Sequence, residues 1–113
     1  MKDCLFCKFV SGEVPVKKMY EDDKMIIIKD IEPKAPIHYL AIVKDHYKLL
    51  IQQDDERAMI LGACIKRIAE LRSELGLYNG YRLVVNQGDD AGQSIDHLHI
   101  HILAGKKMDW NPA

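Results

Sequence analysis

The sequence has no apolar run approaching the roughly 20 residues that a membrane-spanning helix needs, which argues against an integral membrane protein. Its start, Met1-Lys2-Asp3-Cys4, is not followed by the apolar segment of a secretory signal, so export is not expected. It has no excess of either charge. Sixteen Lys+Arg against seventeen Asp+Glu give a net charge of −1, leaving no whole-molecule field to attract nucleic acid or an anionic membrane. Cysteine is scarce and odd in number, three in all, which excludes the disulfide framework of a small secreted domain and points to a reducing, cytoplasmic setting. Repeats, low-complexity segments and linkers are missing, and 113 residues suffice for one core but not two, so the whole chain (1–113) is expected to be a single domain. Apolar residues are plentiful at 48%, enough to offset chain entropy and exclude disorder.

The pattern of what is present predicts an α+β fold: a mainly antiparallel sheet of about five strands with one short and one long helix. The apolar run at 5–10 ends at Ser11-Gly12 and reads as a short helix. Residues 18–21 and 24–29 read as strands around the turn Glu21-Asp22-Asp23, and Met25-Ile26-Ile27-Ile28 is continuous enough to be buried on both faces. Pro33 and Pro36 make 30–36 a loop, and 38–43 is another strand. Asp54-Asp55-Glu56 opens a long helix whose acidic start suits the helix dipole. Leu61, Ile65, Ile68, Leu71 and Leu75 are expected to form its apolar face, with Gly76 as the stop. Strands at 81–86 and 96–104 flank a loop containing Gly88 and Gly92. Cys64 is expected to be inert core.

His97-Leu98-His99-Ile100-His101 is the most informative stretch. Strand side chains alternate, so the three histidines share one face while Leu98, Ile100 and Ile102 enter the core. Neighbouring members lie about 6.5–7 Å apart and the outer two about 13 Å apart, so two can chelate one ion but three on a straight strand hardly can. On spacing alone a metal-binding face and a half-exposed strand face both remain open. Cys4 and Cys7, as C-x-x-C, have metal-ligand spacing, which redox pairs share.

With the preceding Gly92-Gln93-Ser94-Ile95-Asp96 and the tail Gly105-Lys106-Lys107-Met108-Asp109-Trp110, the H-x-H-x-H row resembles the histidine triad superfamily of nucleotide hydrolases and transferases. Within it the chain is similar to the nucleotide-binding branch of purine nucleoside phosphoramidases, over nearly its whole length. The resemblance implies that His99 attacks the α-phosphorus of a nucleotide conjugate, forming a nucleotidyl-histidine that water hydrolyses. His101 would hydrogen-bond the phosphoryl oxygens, His38 would help to move protons, and Ser94 would approach the phosphate and leaving group. Asn86, Gly92 and Gln93 would belong to the phosphate-binding loop and Asp30 would hold the ribose hydroxyls. Leu5, Phe6, Phe9, Ile28, Ile31 and Leu40 would line the base pocket.

Some bacterial members of the superfamily bind a structural zinc through such a cysteine pair and two histidines, which here match His46 and His97. That set is closed, so no catalytic metal is implied. The tail departs from the branch's W-P-P-G in reading Trp110-Asn111-Pro112-Ala113; in the family it reaches toward the partner's site in a homodimer, and Trp110 would contribute there to nucleotide binding. The expected ligand is a purine nucleoside monophosphate or its conjugate, with no nucleic-acid or membrane partner. The competing readings are a dinucleoside polyphosphate hydrolase of the same superfamily, a non-catalytic nucleotide-binding module, and a metal-handling protein.

Overall fold

The computed structural model of the chain describes residues 3–110; Asn111, Pro112 and Ala113 of the divergent tail lie outside the described residues. The order of elements is α1 (Leu5–Ser11), β1 (Tyr20–Glu21), β2 (Met25–Lys29), β3 (Ile37–Val43), α2 (Asp55–Glu70), β4 (Tyr81–Val84) and β5 (His99–Ala104), with one-turn 3-10 helices at Leu50–Gln52 and Asp89–Ala91. The strands form one sheet in the order β1-β2-β3-β5-β4, antiparallel at every pairing. The expected α+β class is the observed one. No helix among the described residues is long and apolar enough to cross a membrane.

The pleat sorts the core into two layers. Met25, Ile27, Tyr39, Ala41, Val43, Ile100 and Ile102 pack with Cys64 and Ile68 of α2. Ile26, Ile28, Leu40 and Ile42 point the other way and meet Phe6 of α1. Both faces are therefore covered at β2, which is why four consecutive apolar residues are all buried there. Across the central pair, His99 stands opposite Ile42 and His101 opposite Leu40. Both histidines thus lie on the α1 face, while Ile100 and Ile102 enter the α2 core.

Local chemistry sets the connections. Asp22 closes the β1–β2 turn by accepting from the N–H groups of Lys24 (2.7 Å) and Met25 (2.9 Å). Asp54 caps α2 by accepting from Arg57 N–H at 2.8 Å, an arrangement that commonly contributes about 1 kcal/mol.

Four expectations need correction. The apolar face of α2 does not include Ile65, which is 41% exposed. Cys64 and Ile68 face the sheet one turn apart, and Ile65 lies about 100° around the helix from Cys64. The helix also ends at Glu70; residues 71–76 continue as turns that finish at Gly76 (φ +76°), and these turns carry Leu75 into the core. The last strand begins at His99 rather than at 96, because Leu98 N–H donates to Tyr47 O (2.7 Å) in the loop after β3. His97 is therefore outside the ladder but still on the α1 side. β4 stops at Val84, which sends Asn86 into the following loop.

Candidate active site and metal centre

A cleft of about 520 Å³ opens on the α1 side of the sheet, where β3, β5 and β4 meet the loops after β2 and β4. His38, His99, His101, Asp30, Asn86 and Ser94 supply its polar wall, and Phe6, Ile31, Leu40, Val84 and Ile95 its apolar wall. A volume within the range of about 300–1,000 Å³ suits one small organic ligand. Ile31 is 94% exposed at the mouth, an apolar surface left open among the described residues.

His99 and His38 each have one nitrogen tied to a backbone group of known polarity, and His101 bonds to His38, so the protons can be assigned from the hydrogen bonds. His99 Nδ1 lies 2.7 Å from His97 O and must donate to it. Its Nε2 is then an unprotonated lone pair. That atom has no hydrogen-bond partner among the described residues, and no side-chain nitrogen is left both enclosed and unpartnered, so it opens on the cleft. Lys34 N–H donates to His38 Nδ1 at 3.0 Å, which puts the His38 proton on Nε2. That proton is donated to His101 Nδ1 at 2.9 Å; Asp30 Oδ2, at 3.4 Å, is too far to compete. His101 is left with its own proton on Nε2. The site therefore presents a lone pair on His99 next to an N–H donor on His101, with ring centroids 5.1 Å apart.

Burial penalises the charged imidazolium. It lowers the pKa of His38, His99 and His101 below the ordinary histidine value, with His101 brought to about 4 because the neighbouring His99 and His38 add to the burial effect. The shifts favour the neutral imidazole in all three, which is the form the assigned protons require.

The other expected site residues divide. Gly92 lines the cleft in the left-handed conformation (φ +78°), which disfavours any side chain there. Gln93 also lines the cleft, but its side chain staples the loop: it accepts from Gly88 N–H (2.8 Å) and donates to Lys48 O and Ile95 O. Phe9 stacks on Phe6 at 6.1 Å, and Ile28 is buried beside Leu40, its cross-strand partner; neither lines the cleft. Leu5 faces an adjoining cavity with Asp3, Cys4 and His46, which meets the cleft at Ser94 and Ile95. Trp110 is 89% exposed and away from the cleft in this single chain. Glu32, Lys34, Val84 and Ile95 line the cleft unforeseen. A period-two reading of 81–86 would have placed Val84 on the face of Asn86; nothing in the local sequence marks the Lys34 amide.

Beside the cleft, four ligand atoms converge. Cys4 Sγ lies 3.3 Å and Cys7 Sγ 3.5 Å from His97 Nδ1; His46 Nδ1 lies 3.2 Å from Cys7 Sγ and 3.1 Å from His97 Nδ1. His97 Nε2 donates to Val43 O at 2.6 Å, so its Nδ1 carries the lone pair. One lone pair cannot satisfy three polar neighbours by hydrogen bonding. A cation at the centre can: zinc bonds of about 2.0–2.3 Å put tetrahedral ligands about 3.3–3.8 Å apart. The four residues fit such an ion. Cys4 is also the N-cap of α1, accepting from Cys7 N–H at 3.4 Å, so the cluster anchors the helix that carries Phe6. Cys64 is remote from it and 1% exposed, and burial pushes its thiol up to about 11.

The sequence model described as the HIT domain matches residues 11–108. Protein HitA of Neisseria gonorrhoeae is 39% identical over 103 residues, covering 91% of this chain and 96% of that protein. The 14 kDa zinc-binding protein of Brassica juncea is 36% identical over 112 residues, covering 97% and 99%. Among solved structures, a HIT family hydrolase from Legionella pneumophila Philadelphia 1 superposes with a TM-score of 0.91 at 38% identity, covering 98% of this chain and all of that one.

Proposed function

Because this chain belongs to the HIT domain family, we propose that it is a nucleotide-binding hydrolase that cleaves purine nucleoside 5′-phosphoramidates through a nucleotidyl-His99 intermediate. The observation that carries the reading is the His99 imidazole: its Nδ1–H is fixed on a backbone carbonyl at 2.7 Å, and its Nε2 lone pair opens on the cleft. A neutral imidazole so held is a nucleophile at pH 7 that needs no further activation. The Legionella relative's description as a hydrolase supports the same class.

In the first step His99 Nε2 forms a bond to the α-phosphorus. The P–N bond breaks with its electron pair on the leaving nitrogen, which takes up one proton. In the second step water attacks the phosphorus, His99 leaves, and one proton is released, so the cycle balances. His101 Nε2–H donates to a phosphoryl oxygen where negative charge builds. Ser94 and the His38–His101 pair are the groups to which the proposal assigns the proton exchange. Asp30 accepts from the ribose hydroxyls, and the base covers Ile31 between the apolar walls.

Zinc belongs to the same proposal as a structural ion held by Cys4, Cys7, His46 and His97; bound there, it cross-links α1 to the strand that carries the nucleophile. The Brassica relative's description as zinc-binding supports it. A homodimer also belongs to the reading. Met59 (76% exposed) and Ile65 (41%) on α2, with Ile51 (89%) just before it, offer its apolar contact surface. Light scattering should give twice the chain mass, and Ile65→Lys should halve it; a monomeric wild type would remove the dimer from the proposal.

The function is tested by supplying a fluorogenic adenosine 5′-phosphoramidate and, separately, a dinucleoside polyphosphate. Turnover of the first with little of the second is the expected result. The reverse preference would reassign the chain to polyphosphate cleavage, and binding without turnover of either would make it a nucleotide-binding module.

A further inference from the structure

We infer that the backbone N–H of Lys34 is a positioning donor that orders the protons of the His38–His101 pair and thereby keeps an N–H, rather than a lone pair, facing the phosphoryl group. The catalytic consequence rests on the proposed function; the proton order does not.

The chain of donors begins at Lys34. Its N–H points at His38 Nδ1 from 3.0 Å. A main-chain amide cannot reverse its polarity, so that contact admits only the His38 form with the proton on Nε2. His38 Nε2–H then meets His101 Nδ1 at 2.9 Å and admits only the His101 form with the proton on Nε2. Reversing either ring would bring two N–H groups together at about 3 Å, leaving at least one buried donor without an acceptor, a cost of about 1–3 kcal/mol. In the reversed state His101 would also turn a lone pair toward the anionic phosphoryl oxygens and repel them.

The loop holds the donor still. Asp30 N–H donates to His38 O at 3.0 Å, closing the base of the loop, and Asp30 Oδ1 accepts from Glu32 N–H at 2.8 Å. Pro33 and Pro36 flank Lys34 and restrict the backbone further. The Lys34 side chain does not set the proton order: its Nζ donates to Glu32 O at 3.2 Å, and its charge only adds to the lowering of the His38 and His101 pKa values. The position therefore works through its amide, and any residue except proline supplies one.

The same donor opposes cation capture beside the zinc cluster. Asp30, His38 and His101 offer three ligand atoms within 4.8 Å of one another. Coordination through His38 Nε2 would shift that ring's proton to Nδ1, directly against Lys34 N–H. His97 differs: Val43 O takes its Nε2 proton and leaves Nδ1 free for a metal.

The test is ¹⁵N-edited NMR of the histidine rings in the wild-type protein, with Lys34→Ala and Lys34→Pro as the pair of variants. The wild type and Lys34→Ala should both show His38 and His101 protonated on Nε2. Lys34→Pro, which relative to Lys34→Ala removes the amide donor and puts a ring carbon in its place, should show mixed tautomers at both rings. Its kcat on the phosphoramidate should fall at least about tenfold with KM little changed, as for loss of a donor to the transition state. A wild-type His38 protonated on Nδ1 overturns the inference, as does a folded Lys34→Pro with unchanged tautomers and kcat. If Lys34→Pro fails to fold, the wild-type spectrum decides alone. Absence of wild-type turnover would count against the proposed function, while the tautomers would still decide the proton order.

Discussion

Replacing His99 with alanine should reduce phosphoramidate turnover by about 10⁴-fold or more, the scale on which enzymes respond to loss of a covalent nucleophile, while nucleotide binding persists. No other side chain offers the same combination. His101 directs its Nδ1 at His38 and presents an N–H to the cleft, and His38 is tied at both nitrogens. The base, ribose and phosphate contacts proposed for Ile31, Asp30 and Asn86 do not involve the His99 ring. Binding of AMP by calorimetry should therefore change little, whereas kcat collapses. Mass spectrometry of wild type quenched in acid-free conditions should show one nucleotidyl adduct on the peptide containing residues 97–101, absent from the variant. The ring also packs edge-on against Phe6 at 5.0 Å, so the variant should be checked for folding by circular dichroism. Turnover in a folded His99→Ala within tenfold of wild type would refute the nucleophile assignment.

Removing the zinc should have the second-largest effect, and on stability first. An ion bound with a Kd about a thousandfold below its free concentration contributes about 4 kcal/mol of apparent stability, which for a domain of this size corresponds to a fall in Tm on the order of 15 °C on chelation. Cys4→Ser with Cys7→Ser should reproduce that loss and make the protein insensitive to chelator. Burial, with the neighbouring Cys4 adding to it, raises the Cys7 thiol pKa in the absence of a cation; the ligand forms are thiolates, so zinc affinity should weaken as pH falls. Activity should fall as well, because the centre touches the nucleophile by two routes. His97 supplies the ligand Nδ1 and also the carbonyl that orients His99. Cys4 and Cys7 anchor α1, whose Phe6 packs against both the His97 and His99 rings. Metal analysis should find one zinc per chain. A purified protein without zinc whose Tm ignores both chelator and the double substitution would refute the structural-ion reading.

Where sequence reasoning went astray, the cause was tertiary. Ile65 fits a helical stripe as well as Cys64 does, and only the placement of α2 on the sheet chose between them. The strand pattern alternates from His97 to Ile102, yet Leu98 N–H donates to Tyr47 O in the loop after β3, and the ladder starts at His99. Phe9 and Ile28 have the same character as Phe6 and Leu40; that they sit beside the cleft rather than in its wall follows from packing that no local pattern encodes.

The sequence by itself determined the α+β alternation, the antiparallel strands and the separation of the histidines from Leu98, Ile100 and Ile102, because side-chain direction along a strand is a local property of the backbone. It also marked Cys4 and Cys7 by their spacing, and the family resemblance added His46 and His97 as ligands. Only the tertiary structure decided that these four meet, across as many as 93 residues of chain, and which nitrogen of each histidine carries its proton. That last choice belongs to the group each ring nitrogen faces: Val43 O comes to His97 from 54 residues away, whereas His97 O lies two residues from His99 and Lys34 N–H four from His38, near in sequence but aimed at the rings only by the folded backbone.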